Sequence, residues 1–140
     1  MKNSALTVKR RAGRRGSAIV EMAISLMGFL MMTFGVMEFG LAVYDYDSCT
    51  SAAQDAVRYA AVHGALSPSP ATADTVRTYV KSDVVAMDKS LITVATTWTP
   101  DNNPGSTVKV VVGYTIKPLA GVAFRKSINV SSTATTVINH

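Results

Sequence analysis

The sequence predicts an α+β fold, with a long N-terminal transmembrane-plus-amphipathic helix packed on a small antiparallel sheet of about three strands, and one short extra helix. Two observations predict it. The first half of the chain is either continuously apolar or apolar at helical spacing, whereas the last third alternates apolar and polar residues. The 140 residues are enough for one small domain. We divide the chain into a basic leader (1–16), a transmembrane helix (17–43) and an extracytoplasmic α+β domain (44–140).

Positive charge is concentrated in the leader. Residues 1–16 contain six Lys or Arg and no acid, whereas the rest of the chain has 8 basic against 9 acidic residues. The net charge of +5 is therefore not spread over a nucleic-acid-binding face, and we expect no nucleic-acid partner. The polar, Gly- and Ser-containing composition predicts that the leader is unstructured through Gly16.

The next segment is typical of a membrane span. Residues 18–43 are apolar apart from Glu21 and Glu38, which lie near its two ends. A helix of this length covers the roughly 30 Å hydrocarbon core of a bilayer. The Lys and Arg residues before the span, and their absence from there to Arg58, predict a cytoplasmic N-terminus. A carboxylate such as Glu21 within an apolar span costs about 2.5–3.5 kcal/mol at the bilayer centre, so it calls for a partner or for a position at the interface.

The helix is expected to continue beyond the membrane to about His63. Residues 41–63 contain no Pro or Gly and have a stripe at spacings of three and four, made largely of small residues. The stripe comprises Leu41, Tyr44 or Asp45, Cys49, Ala52, Ala53, Ala56, Val57 and Ala60. Cys49, the single cysteine, is either a buried small hydrophobe, which we expect, or a site of intermolecular pairing.

A second, shorter helix and three strands follow. The helix lies within residues 71–87, with Thr72 or Asp74 as its N-cap and Val76, Tyr79, Val80 and Val84 as its apolar stripe. The strands are "LITVATTW", "TVKVVVGYTIK" and "SINVSSTATTVIN", and the first two are separated by the turn-forming "DNNPGS". Their shared apolar face needs a cover, which the small-residue stripe of the long helix can provide.

No residue pattern indicates an enzyme. His63 and His140 are isolated from each other and from clusters of acids, and no metal-ligand spacing or nucleophile constellation occurs in the sequence. We therefore expect no catalytic activity, no metal site and no cofactor.

The N-terminal half resembles a known family. Arg14-Arg15-Gly16 followed by Ser17-Ala18-Ile19-Val20-Glu21 is similar to the prepilin pattern, in which a basic leader ends in Gly and an acid is the fifth residue after it. The stretches "GSAIVEMAISL", "MEFG" and "SAAQDAVRYAAVHG" resemble TadE-like proteins, the pseudopilins or minor pilins of the tight-adherence (Tad) pilus system. Met22 departs from the major pilins of that system, which have an aromatic residue there.

The resemblance implies that a membrane-embedded prepilin peptidase cuts between Gly16 and Ser17 on the cytoplasmic face. Cleavage leaves the membrane helix intact and creates an ammonium group at Ser17. In a filament, the Glu21 carboxylate of one subunit can then pair with the Ser17 ammonium of a neighbour and fix the register of the added subunit. The alternative for Glu21 is an interfacial acid that extends toward water. For Glu38, an outer-interface position and a second contact between subunits are both open.

The resemblance predicts a minor pilin that takes part in assembly of an adhesive pilus. Its partners would be other pilin and minor pilin subunits, the prepilin peptidase and the pilus assembly platform in the membrane. It would lie in the bacterial cytoplasmic membrane before assembly and at the cell surface or in the pilus afterwards. The alternative is an uncleaved, signal-anchored envelope protein whose outer domain binds a ligand without polymerising.

Overall fold

The computed structural model describes residues 12–118 and 126–139, with side chains from Gly16 onward. In chain order its elements are α1 (Ala12–Val62), α2 (Ala73–Asp83), β1 (Ile92–Thr99), β2 (Thr107–Ile116) and β3 (Ile128–Val137). The strands form one antiparallel sheet in the order β1-β2-β3. The predicted α+β class, with a long helix, a short helix and three antiparallel strands, is confirmed.

The long helix starts earlier than expected. α1 begins at Ala12, so the expectation of an unstructured leader through Gly16 is wrong for residues 12–16. Ala and Arg are good helix formers, and because they extend a helix that already exists, no new helix nucleus has to form. Residues 1–11 of the leader lie outside the described residues.

The first part of α1 is apolar and makes almost no contact with the rest of the molecule. Residues 16–37 are exposed except for Gly35, which is half-buried. The most apolar window of 18 residues has a mean hydropathy of 1.9, and none of it is buried. With 51 residues, α1 is about 76 Å long at 1.5 Å per residue. By length and composition this helix can cross a membrane.

The last part of α1 covers the sheet through its smallest side chains. The buried residues on this face are Cys49, Ala52, Ala53, Ala56, Val57, Ala60 and Ala61. They form one core cluster with Val108, Val110 and Val112 of β2, each at most 1% exposed. Alanines let the helix backbone approach the strands closely. The predicted stripe and the buried state of Cys49 are confirmed, whereas Leu41 and Tyr44 at its lower end are exposed.

The second helix is held at its start by a reciprocal cap. Thr72 Oγ1 accepts a hydrogen bond from the Thr75 backbone N–H at 3.2 Å, and Thr75 Oγ1 accepts one from the Thr72 N–H at 2.8 Å. Thr72, rather than Asp74, is therefore the N-cap. Val76 and Val80 are fully buried, where α2 packs against α1 and β1.

The sheet has an inner face against the helices and an outer face without a helix among the described elements. Val110 of β2 lies opposite Thr96 of β1 and Ala134 of β3, which fixes the register of both strand pairs. The apolar residues predicted to share a face do so, because successive side chains of a strand point to opposite faces of the sheet and no bulge interrupts the pairing. The outer face has mainly short polar side chains: Thr93, Thr97, Thr99, Thr107, Thr115, Asn129, Ser131, Thr133 and Thr135.

We call the end of the sheet beside the C-terminus of α1 the distal end, and the opposite end, toward the apolar first part of α1, the proximal end. Hydrogen bonds connect the end of α1 with the sheet at the distal end. The Asn139 N–H donates to the Ala61 carbonyl at 3.2 Å, and the Ala65 N–H donates to the Asn102 carbonyl at 2.8 Å. At the proximal end, Glu38 and Leu41 of α1 lie beside Ile116, the last residue of β2. The two edge strands, β1 and β3, therefore both run from the proximal to the distal end.

Candidate assembly site

The candidate site at the start of the apolar segment lies on one exposed face of α1. Ser17 and Glu21 are four residues apart, so they lie about 6 Å apart along the helix axis, on the same side. Both side chains are exposed, and they line a shallow surface groove together with Gly16, Val20, Ile24 and Ser25. The structure therefore brings the two N-terminal site residues together on a free face.

No described part of the same chain covers this groove. The sheet and α2 pack against α1 only beyond residue 37, since every residue from 16 to 37 except Gly35 is exposed. The Glu21 carboxylate thus projects from a helix whose other side chains here are mainly Met, Leu, Ile and Phe. Such a surface can be covered only by lipid or by other proteins.

Glu38 occupies a different kind of environment. It is 4% exposed, the lowest value for any charged residue that the structure describes. With Leu41 and Asp45 it faces Tyr114 and Lys117 across a pocket of about 250 Å³ at the proximal end of the sheet. The structure therefore places Glu38 against its own domain, away from the Ser17 and Glu21 groove. Its contact with a second subunit stays a prediction.

The sequence contained a signal for this burial of Glu38. Glu38 precedes Cys49 by 11 residues, which is three helical turns, so it lies in phase with the small-residue stripe. Extending that stripe toward the N-terminus would have placed Glu38 on the covered face. Sequence reasoning also missed the Tyr59 ring, which stacks on His63 at a centroid distance of 4.3 Å and on Tyr79 at 4.6 Å.

These features define a class of protein: a compact α+β domain with a long, apolar, exposed N-terminal helix suited to membrane anchoring. The model of the TadE-like protein family matches residues 16–58. The match begins at Gly16 and includes Ser17, Glu21 and Glu38, and it ends four residues before α1 does. The expected resemblance to TadE-like proteins is confirmed over these residues.

No curated protein and no solved structure matches the chain. The sheet and α2 lie outside the residues of the family match.

Proposed function

We propose that the protein is a TadE-like minor pilin, cleaved after Gly16 by a prepilin peptidase and incorporated through α1 into a Tad-type adhesive pilus. One observation carries this proposal: Glu21 is an exposed carboxylate on an apolar helix, one turn beyond Ser17. A carboxylate in that position has a high free-energy cost in lipid, and an ion pair with a cation offsets that cost. The proposal includes no catalytic role.

Cleavage after Gly16 would supply the cation. Hydrolysis of the Gly16–Ser17 peptide bond leaves the Ser17 amine as a new N-terminus, which is an ammonium group near neutral pH. The basic leader favours the cytoplasmic side of the membrane, so a peptidase acting there can reach the bond while the apolar helix stays inserted. The mature chain would then begin with the site residues Ser17 and Glu21 close together.

Pairing between subunits would give the acid its role. When the apolar helices of neighbouring subunits pack together, both the carboxylate and the ammonium lose contact with water. An ion pair between Glu21 of one subunit and Ser17 of the next satisfies both charges, and it can form only at one axial offset between the helices. The charge pair therefore sets the register, whereas the surrounding Met, Leu and Phe side chains supply contact area.

The proposed partners and location follow from this arrangement. Before assembly the protein would span the bacterial cytoplasmic membrane once, with its N-terminus inside, and would meet the prepilin peptidase and the assembly platform there. After processing it would contact other pilin and minor pilin subunits, and its α+β domain would be presented at the cell surface or in the pilus.

The intact mass of the membrane-extracted protein tests the processing step. The expected result is loss of residues 1–16, with Ser17 at the N-terminus. In the Gly16→Phe variant the full-length chain should accumulate. A Cβ atom added at Gly16 meets nothing within 4 Å, so this substitution does not disturb the fold.

Gly13→Phe is the matched control, because it adds the same side chain to a leader glycine three residues earlier and should leave processing unchanged. A wild-type protein that retains residues 1–16 would contradict the proposal and favour an uncleaved, signal-anchored envelope protein. Normal cleavage of Gly16→Phe before Ser17 would contradict the role of Gly16.

A further inference from the structure

Neither edge strand of the sheet has the features that usually prevent an edge from pairing with another strand. β1 and β3 each pair only with β2 among the described residues, so each has one row of backbone N–H and C=O groups without a strand partner. Natural proteins usually block such edges with Lys, Pro or a bulge. Residues 91–99 and 127–139, which contain β1 and β3, have no charged residue and no proline, and both pairings are without bulges.

The direction of the edge strands restricts what can pair with them. Two copies of this chain anchored in one membrane have α1 pointing the same way. Because β1 and β3 both run from the proximal to the distal end, self-pairing of either edge in an antiparallel manner would invert one copy. A parallel pairing of β3 with β1 of another copy keeps both anchors aligned and keeps both sets of helices on the same face of the sheet.

We propose that β3 of one copy pairs in parallel with β1 of a second copy, so that the sheets of neighbouring subunits join edge to edge. The proposal goes beyond the assembly contacts of α1, and it rests on the proposed function only in that the copies share one membrane. The contact is heterologous, since it uses two different edges, and it can therefore be repeated from subunit to subunit. The combined sheet would have both parallel and antiparallel pairs, as many large sheets do.

The side chains at the two edges are compatible with this pairing. Ala95 of β1 and Thr133 of β3 both lie opposite Val111, so they are at the same height on the outer face. Their neighbours on that face, Thr97 and Thr135, are level with each other in the same way. All four are short, uncharged and exposed, so they bring no like charges together when the edges meet. The eight residues of β1 fit within the ten of β3.

Cysteine cross-linking of the full chain in its membrane tests the pairing. All variants carry Cys49→Ala, which removes the single native cysteine, a buried thiol among alanines, so that only the introduced cysteines can form disulfides. The test variant adds Ala95→Cys and Thr133→Cys. Within one chain these positions are separated by β2, so they are about 9–10 Å apart, which is beyond the reach of a disulfide. Any disulfide between them therefore joins two chains.

The expected result on mild oxidation is a series of covalent dimers and larger multimers from the double variant, whereas each single variant stays monomeric. Thr93→Cys and Thr97→Cys, each combined with Thr133→Cys, cover an axial offset of two residues in either direction, so the yield should peak in one of the three pairs. The control combines Thr133→Cys with Gln54→Cys, which keeps two exposed thiols but moves one from the edge to α1.

Three results would overturn the proposal. Dimers from Thr133→Cys alone would show β3 meeting β3. Equal yields in the test and control pairs would show random collision, and no cross-linking in any of the three edge pairs would show that the edges do not meet. The intact mass of the same sample reports separately on cleavage after Gly16, so a failure of the proposed function is distinguishable from a failure of the edge pairing.

Discussion

At the scale of single residues, Asp101 holds the loop between β1 and β2 together. Its Oδ1 accepts hydrogen bonds from Ser106 Oγ at 2.7 Å and from the Asn103 N–H at 3.0 Å, and its Oδ2 accepts one from Asn103 Nδ2 at 2.7 Å. The Ser106 hydroxyl, followed by the backbone and side-chain amides of Asn103, holds the pKa of the Asp101 carboxyl below its ordinary value. The charged form of Asp101 therefore stabilises the folded state.

This predicts a pH-dependent effect of Asp101→Asn. Because the pKa is lower in the folded than in the unfolded chain, the stabilisation is complete above the ordinary Asp value of about 3.9 and is lost as the pH falls through the folded value. Asp101→Asn should lower the melting temperature of the detergent-solubilised full chain at neutral pH. The difference from wild type should shrink as the pH is lowered below about 4.

Asp74→Asn is the control, since the Asp74 side chain is 87% exposed and its contact with Arg77 is long, at 3.3 Å. It should melt like wild type at neutral pH. An Asp101→Asn protein with the wild-type melting temperature at neutral pH, or with an equal deficit throughout acid titration, would contradict the role given to this carboxylate.

At the scale of elements, the contact of α1 with the sheet depends on small side chains. Ala56 is fully buried, in one cluster with the valines of β2. Ala56→Leu has no space to occupy, so the helix must move away from the strands, and we expect a loss of about 1–3 kcal/mol in the free energy of unfolding. Denaturant unfolding followed by the fluorescence of Trp98, the single tryptophan of the chain, measures it.

Gln54→Leu, on the exposed side of the same helix, makes a matched comparison. It should change the free energy of unfolding by less than about 0.5 kcal/mol. Equal stability of the two leucine variants would refute close packing of the alanine face.

A second prediction at this scale concerns α2. Val80 is fully buried between α1 and β1, and truncation to Ala removes two methyl groups and leaves a cavity. We expect Val80→Ala to cost about 2 kcal/mol in the free energy of unfolding, by the same fluorescence measurement. Val85→Ala removes the same atoms from a side chain that is 75% exposed, so it should be nearly neutral. A neutral Val80→Ala would mean that α2 is not part of the core.

The sequence predicted those elements whose patterns are local. The alternation of Val108, Val110 and Val112 determines which face of β2 is buried, and the alanine stripe identifies the covered face of α1. The pairing of Ala134 with Val110 is not local, so no periodicity in either strand could set it. The polar links between the β1–β2 loop and the end of α1 were not predictable for the same reason.

The sequence predicted the placement of Ser17 and Glu21 but not that of Glu38. Ser17 and Glu21 are four residues apart on one helix, so their placement on a common face follows from the sequence alone. The environment of Glu38 depends on where the end of β2 lies, which is a tertiary fact. Sequence reasoning left an outer-interface position and a contact between subunits open for Glu38, and it did not extend the small-residue stripe from Cys49 to this residue.

At the scale of the whole molecule, covered and exposed surfaces are segregated along α1. Residues 16–37 are exposed and mainly apolar, whereas from Cys49 to Ala61 one face of the helix is buried against the domain. The domain therefore completes its own core without the first part of the helix, which remains available to lipid or to other subunits. Glu21 is the charged residue on that available part, so it is where anchoring and assembly can be separated experimentally.

Glu21→Gln is the variant that separates them. It removes the charge and keeps nearly the same volume, so membrane insertion should be at least as good as in wild type. Cleavage after Gly16 should continue, because the bond is four residues from the substitution. Incorporation into pili should fail, since removal of one member of a buried ion pair typically costs about 3–5 kcal/mol.

The most direct measurement compares wild type with Glu21→Gln for the content of this protein in sheared filaments, normalised to its processed form in the membrane. Ser25→Ala, on the same groove without a charge, is the control and should be incorporated like wild type. The account predicts a processed, membrane-inserted Glu21→Gln protein that is missing from the filaments. A processed Glu21→Gln protein present in filaments at the wild-type level would contradict the pairing of Glu21 with Ser17 of a neighbour.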